Sequence, residues 1–436
     1  MQISCDHTVL AHGVAADSRL VRPGDVFFAL PGAKTDGHSF LSNAAAKGAI
    51  AAVVQRDYSG NDFGMPLLYT DDVLKALQNL ATSSLKQSKA RIVAITGSLG
   101  KTTTKEFIAA LLRKKNHVYA SPGNSNSQIG LPLSILNHAT LDEDILVIEM
   151  GMTLTGQIKK LTEIAPPTVA VVTTVALVHA GNFDSLEDIA KAKAEIFSHP
   201  KTEFGFYHKE SDINHALTNE GACQKISFST TSDSDYYLEI EGDGMVVTHE
   251  RTKSPKLPVL ALPGEHNKHN YLCAVAVARH FGLSWEDIRE VQKTLFLPDR
   301  RLQHVEKFGA LFVNDSYNAA EMSTKSAISS LPKPQPGGRR IVVFGGMPEL
   351  GKFSVQCHRN VAEFALQHVD YMFCFGEECL EILDCWQEAK RPVVWAKERI
   401  EIAAALRKQL KPGDVILLKG MRIRDVGKII DELDQF

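Results

Sequence analysis

The sequence predicts a three-domain α/β protein. A small α/β block covers residues 1–85, a central parallel-sheet domain with a β-rich insertion covers 86–297, and a doubly wound, Rossmann-like domain covers 298–436. Three observations predict this. A strand expected over Arg91–Ile95 leads through a glycine turn into an amphipathic helix. The apolar, strand-like runs at 145–148 and 169–175 are continuous rather than alternating, the pattern of strands buried on both faces. After Pro298, strand-like runs at 341–344, 371–375, 393–396 and 415–418 alternate with helical patterns, which is the βαβ rhythm of an open sheet.

The first block pairs short strands at 26–30 and 51–54 with Gly- and Pro-rich turns. Within the central block, 202–260 is β-rich, with its clearest strands at 236–242 and 245–250. Composition excludes several classes. A formal net charge of −3 over 436 residues gives no basic field for nucleic acid or an anionic membrane. Seven cysteines without a Cys-x-x-Cys pair argue against a disulfide framework or zinc ribbon, and for reduced thiols. No apolar stretch reaches the ~20 residues of a membrane span, and the opening residues lack a basic segment followed by an apolar one, so no signal peptide is expected. A cytoplasmic protein is expected.

The strongest local signal is Thr96-Gly97-Ser98-Leu99-Gly100-Lys101-Thr102-Thr103 between a strand and a helix. Glycines let backbone N–H groups converge on a phosphate, and the helix N-terminus adds partial positive charge. Lys101 would reach the β/γ-phosphates of ATP and Thr102 would bind Mg²⁺. The loop is short, with Ile95 where the standard pattern has its first glycine. The bland alternative is a plain glycine turn. Glu149 ends the apolar run 145–148, where a side chain can reach the crevice of an open sheet. It is either a Mg²⁺ ligand or a carboxylate seeking solvent.

Ser185 reads as the cap of a helix running to Phe197. Lys191 then neighbours Glu187, Asp188 and Glu195 on a solvated face. Lys193 instead falls among Ile189, Ala190, Ile196 and Phe197. There it must snorkel, pair with a charge or be chemically altered. His179 lies just upstream and is structural or functional.

These motifs resemble the Mur ligase family over nearly the whole chain. The resemblance rests on 96–103, on Gly123-Asn124-Ser125-Asn126-Ser127-Gln128-Ile129-Gly130, on Ala190-Lys191-Ala192-Lys193-Ala194-Glu195-Ile196-Phe197, and on Gly264-Glu265-His266-Asn267-Lys268-His269-Asn270. Asn314-Asp315-Ser316-Tyr317-Asn318-Ala319 and Met347-Pro348-Glu349-Leu350-Gly351 resemble the members that add D-alanyl-D-alanine. The first block carries Asp17-Ser18-Arg19 and Lys34-Thr35-Asp36-Gly37-His38, which resemble that group's uridine-nucleotide domain. Gly345-Gly346-Met347 and Lys419-Gly420-Met421-Arg422 depart from the usual pattern.

The resemblance implies an ATP-dependent ligase joining D-alanyl-D-alanine to UDP-N-acetylmuramoyl-tripeptide through an acyl phosphate. The three blocks would bind the UDP substrate (1–85), ATP (86–297) and the amino substrate (298–436). It further implies catalytic roles for Lys101, Glu149, His179 and Lys193. ATP would meet Gly97, Ser98, Gly100, Lys101, Thr102, Thr103, Asn267, Asn270, Arg301 (or Arg300) and Asp315. Mg²⁺, or Mn²⁺ at the histidine, would be held by Thr102, Glu149, His179 and a carbamylated Lys193. The substrates would meet Ser18, Arg19, Lys34, Asp36, His38, Asn124, Asn126, Tyr317 and Asn318. A monomer is expected. The readings set against this are a folate polyglutamate ligase of the same chemistry and a non-catalytic nucleotide switch.

Overall fold

The continuous apolar runs become the inner strands of parallel sheets. In the computed structural model, which describes residues 10–32, 35–209 and 213–436, three sheets carry the chain. The first is four-stranded and parallel, formed by Gly13–Ala15, Asp25–Phe28, Ala51–Gln55 and Leu67–Thr70 in chain order. The helix Val73–Leu85 follows, its N-terminus capped by the Asp72 carboxylate, which accepts from Lys75 N at 2.9 Å. Val73 and Leu77 pack on Val14, Phe28 and Val53 of that sheet. Ala81 belongs to the core of the next domain, and Thr82 Oγ1 donates to Ile164 O at 3.1 Å. One helix thus serves two cores.

The central sheet runs Val118–Ala120, Ile145–Glu149, Arg91–Thr96, Val169–Val172, Phe204–His208, Gln224–Ser229, Tyr236–Glu241 and Gly244–His249, parallel up to a final antiparallel hairpin. The β-rich stretch therefore lengthens this sheet at its edge rather than forming a separate layer. The helices Lys101–Leu112 and His266–His280 cover one face, burying Phe107, Ile108, Leu111 and Tyr271. Ile135, Leu161, Ile189 and Ile196 cover the other.

The third sheet is ordered Gln303–Lys307, Ala310–Asp315, Val415–Lys419, Arg340–Phe344, Tyr371–Phe375, Val393–Ala396, with only the first strand antiparallel. Its core is continuous with the central one through Met347 and Leu350, which share a cluster with Ala180 and Phe183. No helix among the described residues is long and apolar enough to cross a membrane. The six described cysteines are free.

Two local expectations change. The strand expected over 169–175 ends at Val172, because Thr173 and Thr174 turn out of the sheet to brace the glycine loop. The helix expected to run to Phe197 is α-helical over Leu186–Ala194 and tightens to a 3₁₀ turn over Glu195–Phe197. Glu195 does not face Lys191. Its carboxylate accepts from Gly156 N (2.6 Å) and Lys159 N (3.0 Å), capping the neighbouring helix Gln157–Ile164.

Candidate active site

Backbone crowding explains the glycines of the loop. Gly97 has φ +149°, and a Cβ there would lie 1.9 Å from Thr173 Oγ1. Gly100 has φ +83°, and its Cβ would lie 2.3 Å from Asn270 Oδ1. The Thr173 hydroxyl donates to Leu99 O at 2.6 Å, and Ser98 N donates to Thr174 O at 2.8 Å. Lys101 Nζ donates to Gly97 O at 2.8 Å. Burial pushes the Lys101 pKa down; Glu149 opposes this and Arg301 adds to it.

Glu149 is 1% exposed at the end of its strand. Thr102 Oγ1 donates to one carboxylate oxygen at 2.9 Å and Asn126 Nδ2 to the other at 2.7 Å. The loop carrying Asn126 is itself held by Lys105. This lysine is wholly buried on the phosphate-loop helix, and its Nζ reaches Ser121 O (2.5 Å) and Gly123 O (3.1 Å).

Lys193 is 4% exposed. No hydrogen bond or ion pair holds its ammonium among the described residues. Burial depresses its pKa well below the ordinary lysine value, and Lys101 depresses it further. Lys191 lies on the outer face and pairs with Glu187 at 2.8 Å.

Two cavities flank the loop. One of about 450 Å³ lies between the central and third sheets, lined by Ser98, Gly100, Lys101, Thr102, Thr103, Asn124, Asn126, Glu149, His179, Asn267, Asn270, Arg301, Asp315, Tyr317 and Asn318. The other, of about 380 Å³, is lined by Gly97, Ser98, Lys101, Asn126, His179 and Lys193, with Leu74 of the first linking helix at its edge. Ser98, Lys101, Asn126 and His179 line both. Glu149, His179 and Lys193 are thereby gathered around the loop.

Asn267 and Asn270 are buried and hydrogen-bonded within the protein. Asn270 Nδ2 donates to Asn267 Oδ1 at 3.1 Å, and Thr104 Oγ1 donates to Asn270 Oδ1 at 3.2 Å. They prop the loop as well as line the cavity. Of the paired arginines, Arg301 faces the cleft, its guanidinium 4.4 Å over the Tyr317 ring. Arg300 turns to Asp425 (2.9 Å) and lines a different hollow. Asp315 accepts from Lys419 Nζ at 2.5 Å.

The first-domain candidates sit apart. Ser18, Arg19, Asp36 and His38 line neither cavity. Arg19 pairs with Asp17 at 2.7 Å, and His38 Nδ1 lies 2.6 Å from Asp36. Lys34 lies outside the described residues. Sequence reasoning missed Lys105, Lys419, Arg422, His266 and Met322. Lys419 ends an apolar strand just as Glu149 does, and Lys105 interrupts an apolar helix face just as Lys193 does. Either signal was readable. Arg422, which reaches Asn124 Oδ1 at 3.2 Å across the domain boundary, was marked only as the end of Lys419-Gly420-Met421-Arg422.

A phosphate loop on one sheet opposed by charged strand ends from a second defines a nucleotide-using enzyme whose site two domains share. Family models match in series: the Mur ligase family catalytic domain over 10–93, the Mur ligase middle domain over 95–278, and the Mur ligase glutamate ligase domain over 300–422. The chain belongs to the Mur ligase family. The UDP-N-acetylmuramoyl-tripeptide–D-alanyl-D-alanine ligase of Bacillus subtilis (strain 168) is 31% identical to it, over 98% of this chain and 94% of its own. The enzyme of that name from Escherichia coli (strain K12) is 34% identical over 81% and 78%. The MurF ligase of Thermotoga maritima, solved in complex with ADP, superposes with a TM-score of 0.80 at 28% identity, over 97% of each chain. Within the family the chain is of the MurF type.

Proposed function

We propose that the protein is an ATP-dependent amide ligase of peptidoglycan precursor synthesis, joining D-alanyl-D-alanine to UDP-N-acetylmuramoyl-tripeptide. The observation that carries this is the meeting of two cavities at Ser98, Lys101, Asn126 and His179. ATP would occupy the larger one and the acid to be activated the smaller. A carboxylate oxygen attacks the γ-phosphorus, ADP leaves, and an acyl phosphate forms. The dipeptide amine then attacks the acyl carbon, loses a proton and expels phosphate. Two anions must approach, so Lys101 and Arg301 supply positive charge, and Asp315 and the Asn267–Asn270 pair position the nucleotide. Residues 1–85 would hold the uridine nucleotide through Ser18, Arg19, Lys34, Asp36 and His38. Residues 298–436 would present the dipeptide near Tyr317 and Asn318, with Asn124 and Asn126 facing the peptide. Water exclusion between domains would protect the acyl phosphate. The enzyme would act in the cytoplasm as a monomer.

The donors fit a hard cation. The Thr102 hydroxyl and Glu149 carboxylate are oxygen ligands 2.9 Å apart at the phosphate loop. No group of three His, Cys, Asp or Glu side chains converges among the described residues. So sparse a set suits Mg²⁺, which keeps waters and phosphate oxygens beside one or two carboxylates. Thr102 and Glu149 would hold one ion, and Glu149 with His179 a second, where Mn²⁺ suits the imidazole better. When bound, the metal neutralises phosphate charge. Lys193 fits as a carbamate: burial favours its neutral amine, which adds to CO₂ and loses a proton, replacing a repulsive ammonium by an anion.

ADP release tests the reading. Turnover is expected with UDP-N-acetylmuramoyl-tripeptide and D-alanyl-D-alanine together. Turnover driven instead by glutamate on a folate, or by neither amine, would sink it.

A further inference from the structure

Glu349 belongs to a motif for which the reaction scheme has no role, yet its side chain meets His179, which lines both cavities. Its carboxylate contacts Nδ1 of His179, 170 residues earlier and in another domain. The contact is built from both sides. His179 and Glu349 both adopt left-handed backbone, with φ +54° and +67°, which non-glycine residues avoid unless their surroundings enforce it. Gly181 N donates to Glu349 O at 2.8 Å, and a Cβ on Gly351 would lie 2.8 Å from Gly181 Cα. Met347 and Leu350, on either side of Glu349, are buried in the cluster that holds Ala180. The two loops are locked together so that the two side chains meet.

A carboxylate oxygen accepts from Nδ1–H, and in the neutral imidazole that tautomer leaves the lone pair on Nε2. A carboxylate behind a histidine fixes the tautomer, orients the ring and raises its basicity toward a metal. We propose that Glu349 is a positioning residue for His179 as a metal ligand, delivered by the third domain. Cation affinity then depends on that domain being docked. The proposal rests on the reading of His179 given above.

Mn²⁺ binding to the full-length protein with ADP, followed by water-proton relaxation, tests it without turnover. Glu349→Ala is expected to weaken Mn²⁺ by about 10- to 100-fold. Glu349→Gln, which keeps an acceptor without the charge, should lose less. His179→Ala should weaken binding at least as much, and Glu349→Ala/His179→Ala no more than His179→Ala alone. Unchanged affinity in His179→Ala would remove both the ligand role and this inference. A weakened His179→Ala beside an unaffected Glu349→Ala, additive losses in the double variant, or a Gln loss equal to the Ala loss would overturn the inference alone.

Discussion

The helices Lys101–Leu112 and Leu186–Ala194 each bury a lysine among apolar neighbours, and the protein treats the two in opposite ways. Lys105 is saturated: two backbone carbonyls and the Glu106 carboxylate (3.1 Å) surround its Nζ. Lys193 has no such partners, and its pKa falls accordingly. Burying an unpaired ammonium is expensive, so folding alone gives no reason to keep one. A saturated buried charge reads as scaffold, and an unsatisfied one beside a cleft reads as chemistry. The arginines repeat the contrast. Arg300 pairs with Asp425, while Arg301 has a buried Nε without a partner.

The sharpest way to break this contrast is Lys193→Ala. Ligase turnover should fall by about 10²-fold or more, with a thermal midpoint no lower than that of the unaltered protein. Full activity, or a large loss of stability, would erase the distinction between the helices. Next is the arginine pair. Arg301→Ala should cost about 10²-fold in kcat/KM, and Arg300→Ala only a few-fold. Steady-state ADP release measures both, and equal losses would show that facing the cleft is not what matters.

Lys105→Met should destabilise by about 1–3 kcal/mol, since Ser121 O and Gly123 O lose their buried donor. Chemical denaturation reads this. A neutral outcome would make Lys105 as dispensable to folding as Lys193. The pH dependence has a definite sign. The folded pKa of Lys193 is depressed, so the unfolded chain binds the proton more tightly. Stability contributed at this site therefore rises with pH up to the ordinary lysine value near 10.4. Lys193→Met should remove that slope and raise the melting temperature most at low pH; a parallel pH profile in the variant would contradict the depressed pKa. The smallest effect belongs to Lys191→Ala, which removes an exposed pair with Glu187 and should shift stability by about 0.5 kcal/mol or less.

Much of this contrast was legible in the chain. The apolar period of the helix put Lys193 on a buried face and Lys191 on a wet one, and they lie there. Continuous apolar runs marked the inner strands, and the residue ending one of them, Glu149, marked the crevice. The same logic reaches Lys105 and Lys419, which interrupt or terminate apolar patterns. Glu195 was misread because spacing along one helix says nothing of the neighbouring helix whose N-terminus it caps.

By itself the sequence determined the three-sheet α/β architecture, the glycine loop and the burial of Lys193. These depend on local periodicity and on backbone conformations that particular residues permit. Only the tertiary structure decided that Arg301 rather than Arg300 enters the cleft, that Lys105 is satisfied and Lys193 is not, and that Glu349 meets His179. Periodicity records which face turns inward. What waits there comes from other elements, from 16 residues away at Lys105 to 170 at His179, and is settled only when the sheets pack.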